Sequence, residues 1–323
     1  MSAETGLRSA VSSLPDLAVR LPLPDIAPWR AGNTGIEGAW SFRADAPGPH
    51  LVITALVHGN EIAGGLVLTR WLRAGIRPRC GTLSLVFANL AAFDRFDPAD
   101  PTASRFLDED LNRVWGEEQL GGTRRSAELA RARALLPLIG SADVLLDLHS
   151  MLWPSDPLIL AGPGAAASDL GCAIGTPHLV VCDEGHAAGL RMIDHATFRA
   201  GARSLLVEAG PHWGSETLAQ MEDSAARLLR RLGMAEDGAP LAPERPSPPA
   251  RIARVTRTIT AQSSEFVFLR SFRGGEVIPR RNTLIALDGE QELRTPHDNC
   301  LLVMPSPRAM RGHTAVRLAR FDD

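Results

Sequence analysis

Six short runs of unbroken apolar character constrain this 323-residue chain more than any other feature. They are Leu51 to Val57, Thr82 to Ala88, Asp143 to Leu148, Pro157 to Ala161, His178 to Cys182 and Ser204 to Ala209. A strand with one wet face alternates, so runs this continuous predict strands covered on both faces, as in an α/β sheet flanked by helices. Glu61 to Ala74 and Arg124 to Ile139 have the apolar spacing of covering helices, and Ser215 to Leu232 closes the unit with an amphipathic one.

The pattern breaks at Glu236 to Ala250, EDGAPLAPERPSPPA, where proline density excludes regular structure and predicts an extended linker. Beyond it, RIARVTRTITA alternates polar with apolar residues, and short β-rich runs are punctuated by Gly274, Gly275, Gly289 and Gly312. The expected organisation is a first domain over 1–235, a Pro-rich linker over 236–250 and a small all-β domain over 251–323.

Composition narrows the chemistry. Hydrophobic residues at 45% and charged residues at 22% describe a soluble globular protein, and a net charge of -3 supplies no basic field for a phosphate backbone, so nucleic acid is not expected as a partner. No apolar segment approaches the ~20 residues that span a bilayer, so no membrane partner is expected either. There is no lysine and no tyrosine, which excludes a pyridoxal Schiff base, a Walker lysine and a biotinyl or lipoyl attachment. Cys80, Cys172, Cys182 and Cys300 lack any short paired spacing and read as reduced thiols, and with no signal-peptide run the expected location is cytoplasmic. A Cys172, His178, Cys182, His186 zinc cluster is conceivable, but close Cys pairs are missing and buried thiols fit better. No G-x-S-x-G elbow is present for serine hydrolysis.

Several of the runs end in residues that carry chemistry. The first leads into HGNE (His58 to Glu61), the third into His149, and the last contains Glu208. Open α/β sheets bind ligands at the carboxyl ends of their strands, so neighbouring strands would gather His58, Glu61, His149 and Glu208 on one rim. Two histidines and one glutamate are a ligand set for a catalytic zinc ion, with a fourth position left for water. In His58-x-x-Glu61 the imidazole leaves the strand and the carboxylate lies on the first turn of the next helix. With 9 histidines in 323 residues, chance supplies roughly half of one HxxE pair, so placement at a strand-to-helix junction carries the argument. Asp147 shares a strand face with His149, and Asp110 lies two residues before Asn112; either carboxylate could orient a metal-bound imidazole, or be an ordinary cap or surface aspartate.

Between the second and third runs lies a long Pro- and Asp-rich loop containing RFLDEDLNRVW (Arg105 to Trp115). Together, HGNE at His58, RFLDEDLNR at Arg105, DLHS at Asp147 and VEAGPH at Glu208 resemble the succinylglutamate desuccinylase/aspartoacylase family, deacylase relatives of zinc carboxypeptidases. That resemblance implies a zinc-carboxypeptidase-like mixed sheet flanked by helices, with residues 1–235 as the catalytic domain. It implies one Zn2+ per chain on His58, Glu61 and His149, with Glu208 as general base and Arg105 polarising the scissile carbonyl. Asn112 and Arg113 would hold a substrate carboxylate. The implied reaction is hydrolysis of the linear amide of a small N-acyl amino acid or similar carboxylate-bearing molecule. A metallocarboxypeptidase for short peptides and a catalytically silent zinc-binding regulatory protein stay open as alternatives.

Two departures stand beside the resemblance. The family's substrate-site tyrosine has no counterpart in a chain without tyrosine, and Arg191, His195 and Arg199 do not align clearly with its second substrate arginine. The C-terminal domain resembles a biotinyl/lipoyl-like barrel-sandwich that cannot carry a swinging arm. A lid, a dimerisation module and plain stabilisation are its open readings, a homo-oligomer among them, with Arg280, Arg281 and His297 as candidates for substrate contacts.

Overall fold

The computed structural model describes residues 15–183, 185 and 188–322; the N-terminal stretch before residue 15 and His186 of the conceivable zinc cluster lie outside them. Two compact units emerge. Leu17–Ser150 with Pro157–Ala250 forms the larger, and Met151–Asp156 with Arg251–Asp323 makes up most of the other.

The larger unit contains β1 (Ala39–Arg43), β2 (His50–Ala55), β3 (Thr82–Phe87), β4 (Val144–Met151), β5 (Leu158–Ala161), β6 (Leu179–Cys182) and β7 (Arg203–Pro211). Their order across the sheet is β1-β3-β2-β4-β7-β5-β6. β2 runs parallel to β3 and β4, β5 runs parallel to β6 but antiparallel to β7, and β1 runs antiparallel to β3. The sheet is therefore mixed. Every residue of β4 is buried, as an apolar run covered on both faces requires. β1 escapes the sequence reading because its alternating AWSFR is too short and too exposed to stand out from a loop.

Helices α1 (Ile62–Arg73), α2 (Leu90–Phe93), α3 (Glu117–Gly121), α4 (Ala127–Gly140), α5 (Ala165–Ile174), α6 (Ala196–Arg199) and α7 (Ser215–Arg231) complete the unit. α1 and α5 both pack against α7. Glycine lets α1 approach the sheet: a Cβ on Gly64 would meet Ala55 Cβ at 2.9 Å and Leu148 Cβ at 3.2 Å. Ile62, Val67, Leu68 and Trp71 are buried, each side chain contributing about 1.5–3 kcal/mol by leaving water. α4 begins at Ala127 rather than near Arg124, because the Ser126 hydroxyl accepts the Leu129 N–H and caps it there. α5 also goes unread in the sequence; its small residues allow a tight fit, with Gly171 against Val180. Among the described residues no helix is long and apolar enough to cross a membrane.

The proline-rich stretch has no regular structure but is held to α7 and α5. Arg227 donates to Arg245 O, Arg230 to Ala242 O at 2.7 Å, and Ser247 Oγ to Gly175 O at 2.7 Å.

The smaller unit is all-β apart from turns. β8 (Arg251–Thr260), β14 (Thr314–Phe321), β13 (Cys300–Val303) and β10 (Val277–Ile278) follow one another in one sheet. β12 (Gln291–Arg294), β11 (Leu284–Asp288) and β9 (Phe266–Phe268) form a second, antiparallel one. Phe266, Phe268, Phe272, Ile285, Leu302 and Val316 fill one shared core. Segment 151–156, which continues directly from β4, is stitched into this unit: Asp156 N–H donates to Gly274 O, and Arg273 Nε to Asp156 Oδ1 at 2.9 Å.

Candidate metal centre and active site

β2 ends at Ala55, and the chain turns out of the sheet through Leu56 at φ 58, a conformation that a branched side chain seldom takes. The turn delivers His58 and then Gly59, whose backbone lies so close to a neighbouring loop that a Cβ would come within 2.4 Å of the Ala92 carbonyl carbon and 2.6 Å of Ser104 O. Only glycine fits there. Gly59 N–H donates to Arg105 O at 3.1 Å, which ties the Arg105 loop to the His58 turn. Glu61 sits just before the first turn of α1, at the N-cap position, not on that turn as the spacing suggested.

His58, Glu61 and His149 converge, each offering one ligand atom within 4.8 Å of the others, and all three are buried. His58 Nδ1 lies 2.6 Å from Glu61 Oε1, and His149 Nδ1 lies 3.3 Å from Glu61 Oε2. The opposite ring nitrogens face carboxylates: His58 Nε2 is 3.0 Å from Asp110 Oδ1, and His149 Nε2 is 2.8 Å from Asp147 Oδ2. Asp147 is itself held by the Thr54 hydroxyl at 2.6 Å. The carboxylate behind each imidazole turns Nδ1 toward the common point, and His58 Nε2 also lies 2.9 Å from Arg105 NH2.

Charge makes the cluster demanding. Burial works against ionised Glu61, but the two imidazoles outweigh it and hold its pKa well below the usual range. Burial likewise opposes charged His149, yet Asp147 and Glu61 prevail and hold its pKa well above the usual range. For Glu208, burial first and the Glu61 carboxylate second push the carboxyl up to about 8. Its Oε2 is buried and, among the described residues, has no hydrogen-bond partner. Four carboxylates (Glu61, Asp110, Asp147 and Glu208) thus share one region with the Arg105 and Arg113 guanidiniums. Such a set, with nitrogen and oxygen donors aimed at one point, fits a divalent cation.

Arg105 NH1 is 3.4 Å from Glu61 Oε1, and NH2 is 3.2 Å from Asp110 Oδ2. Its side chain keeps 38% exposure, so it can reach a ligand at the rim. The loop carrying it is fixed by a residue the sequence reading missed. Glu128, fully buried at the start of α4, accepts the backbone N–H groups of Leu107, Asp108 and Glu109 at 2.7, 3.0 and 3.2 Å and the Asn89 amide at 3.1 Å. A helical glutamate has no local signature of such a role. Asn112 is buried, and its Oδ1 accepts the Met192 N–H at 2.8 Å; Arg113 NH1 donates to Asn112 O at 2.6 Å.

The family model for the succinylglutamate desuccinylase/aspartoacylase catalytic domain matches residues 47–232. The chain belongs to this family. A succinylglutamate desuccinylase of Burkholderia orbicola is 27% identical over 286 residues, covering 81% of this chain and 78% of the relative. An N-acyl-aromatic-L-amino acid amidohydrolase (carboxylate-forming) of Xenopus laevis is 29% identical over 113 residues, which is 32% of this chain and 35% of that protein. In three dimensions a succinylglutamate desuccinylase from Vibrio parahaemolyticus superposes with a TM-score of 0.66 at 20% identity, covering 89% of this chain and 87% of the other. As a member of the family the chain is a deacylase.

Of the remaining candidates, Arg191 precedes Met192, whose N–H binds Asn112, but its own side chain is committed to other partners. The Arg191 guanidinium is engaged by Asp194 and Asp183, Arg199 Nε donates to Asp194 O, and His195 Nδ1 faces the Thr197 N–H at 3.4 Å. In the smaller unit both nitrogens of His297 are occupied, by the Thr256 hydroxyl and Asp298 O, each at 2.9 Å. Cys172 lies on α5 and Cys182 ends β6, and no disulfide joins the four cysteines.

Proposed function

We propose that this deacylase is a zinc-dependent amidohydrolase that cuts the linear amide of an N-acyl amino acid or a similar carboxylate-bearing small molecule. The observation that carries the proposal is the buried Glu208 oxygen, without a hydrogen-bond partner among the described residues, beside a buried His-Glu-His cluster rich in carboxylates. His58 Nδ1, the Glu61 carboxylate and His149 Nδ1 would hold one Zn2+ per chain, with Asp110 and Asp147 steadying the imidazoles. Bound there, zinc supplies Lewis acidity, which brings the pKa of water down to about 7 and polarises a carbonyl.

The chain's own groups do the rest. Glu208 takes a proton from the attacking water and delivers it to the leaving amine, and a pKa pushed toward neutrality suits a group that must both accept and donate. Arg105 stabilises negative charge on the carbonyl oxygen, a contribution typically worth about 3–4 kcal/mol per donor. Arg113 takes the substrate carboxylate in a planar two-bond fork, and Asn112, whose Oδ1 is held by Met192, adds its NH2.

The test is hydrolysis of three matched substrates by the zinc-loaded protein: an N-acyl amino acid, its carboxamide and a tetrapeptide of the same C-terminus. The free acid should be cleaved best, and Arg113→Ala should weaken its binding at least ~10-fold while hardly affecting the carboxamide. Efficient tetrapeptide cleavage would favour a carboxypeptidase. Zinc binding without turnover of any of them would favour a silent metal protein.

A further inference from the structure

His212 is buried close to the candidate metal centre, yet no step of the proposed reaction uses it. Its ring lies 5.2 Å from that of Trp213, and burial pushes its pKa down to about 4. The two residues follow directly on β7, the strand that carries Glu208.

Each grips a different side of Glu61. His212 Nδ1 lies 2.8 Å from Ser150 Oγ, and the Ser150 backbone N–H donates to Glu61 Oε2 at 2.8 Å. Trp213 Nε1 donates to Asn60 O at 3.0 Å, the carbonyl immediately before Glu61. Ser150 also follows His149, so one grip reaches two of the three candidate ligands. The Ser150 hydroxyl can donate to or accept from Nδ1, so the bond holds with either tautomer of the His212 ring. The strand ends of β4 and β7 are thereby pinned to the turn that presents Glu61.

We propose that His212 and Trp213 are positioning residues which set the metal affinity of the His58, Glu61, His149 centre by fixing Glu61 through Ser150 and Asn60. The inference rests on the metal reading of that centre. Partners of metal ligands typically contribute 10- to 100-fold in affinity, and the same range is expected here.

The experiment is chelator competition for zinc on the full chain, with the urea unfolding midpoint of the metal-free protein recorded for each variant. Wild type should bind one zinc and His58→Ala should lose it. H212A and S150A should each weaken binding 10- to 100-fold, and the double variant should be no weaker than the worse single one, because both remove the same bond. H212N, whose side-chain amide can take the place of Nδ1 as donor or acceptor, should recover most of the affinity; Trp213→Phe should cost less than H212A. A merely structural role would move the unfolding midpoint without this pattern in zinc affinity. If H212A and S150A bind zinc as tightly as wild type while His58→Ala does not, the positioning proposal is overturned and the metal reading stands. If wild type binds no zinc, or His58→Ala binds it equally well, the metal reading and this inference fall together. Should H212A not fold, S150A and H212N decide between these outcomes.

Discussion

Two buried ionic clusters in the larger unit are built from similar residues to different ends. Around Arg191 the account is closed: Nε and NH2 donate to Asp194 at 2.7 and 2.9 Å, and NH1 and NH2 donate to Asp183 at 3.0 and 2.5 Å. All three side chains are at most 4% exposed. Around His58, Glu61 and His149 the account is open, since among the described residues the buried Glu208 Oε2 has no hydrogen-bond partner. A closed cluster fastens a loop; an open one holds chemistry in reserve for a ligand that completes it. Burial alone does not separate the two. The unmet hydrogen bond does.

The sharpest way to break this contrast is on the open side. Glu208→Gln keeps the shape but cannot accept a proton, so turnover should fall at least ~100-fold, and up to ~10,000-fold, with zinc retained. Loss of zinc in that variant, read by metal analysis, would make Glu208 a ligand instead of a base. On the closed side, Arg191→Met leaves two buried carboxylates without their cation and should destabilise the fold by about 3–5 kcal/mol in urea unfolding. Any molecules that remain folded should keep near-normal turnover. A large drop in kcat per folded molecule would mean that Arg191 also serves the reaction.

Removing metal acts only on the open cluster. At a zinc concentration 100 times the dissociation constant, chelation should lower stability by about 2.7 kcal/mol, and the loss should vanish in His149→Ala. An equal loss in that variant would place the stabilising metal elsewhere. The smallest effect is the acid response of the closed cluster. Burial works against ionised Asp194, but the Arg191 guanidinium outweighs it and holds the pKa below the usual carboxylate value. A depressed carboxylate contributes stability that is fully present above its unfolded pKa, near 4, and is lost as pH falls through the lower folded value. Wild type should therefore lose more stability than Arg191→Met below pH ~4; parallel acid profiles would show that this pair does not govern the response.

Much of the α/β architecture was legible because it depends on local pattern. Continuous apolar runs such as Leu51 to Val57 and Asp143 to Leu148 must be covered on both faces, and the helices between them follow from apolar spacing. Elements with weak local signals were not legible: β1 is short and half exposed, and α5 is made of small residues whose value lies in how closely they let the chain approach β6. The same division runs through the site. His58, Glu61, His149 and Glu208 stood out because they sit where apolar runs end, and motif order led from there to the family.

By itself the sequence determined which residue types stand at the ends of the apolar runs, and therefore what chemistry the rim can hold. Only the tertiary structure decided which of them are satisfied. Arg105 and Arg191 are both arginines in segments between the apolar runs, yet one keeps 38% exposure beside the candidate ligands and the other is enclosed by two aspartates. Glu128 and His212 carry no local mark of their roles, because those roles are bonds to groups some 20 and 62 residues away. Periodicity is a property of neighbours along the chain, whereas the completion of a buried charge or hydrogen bond depends on distances that exist only after folding.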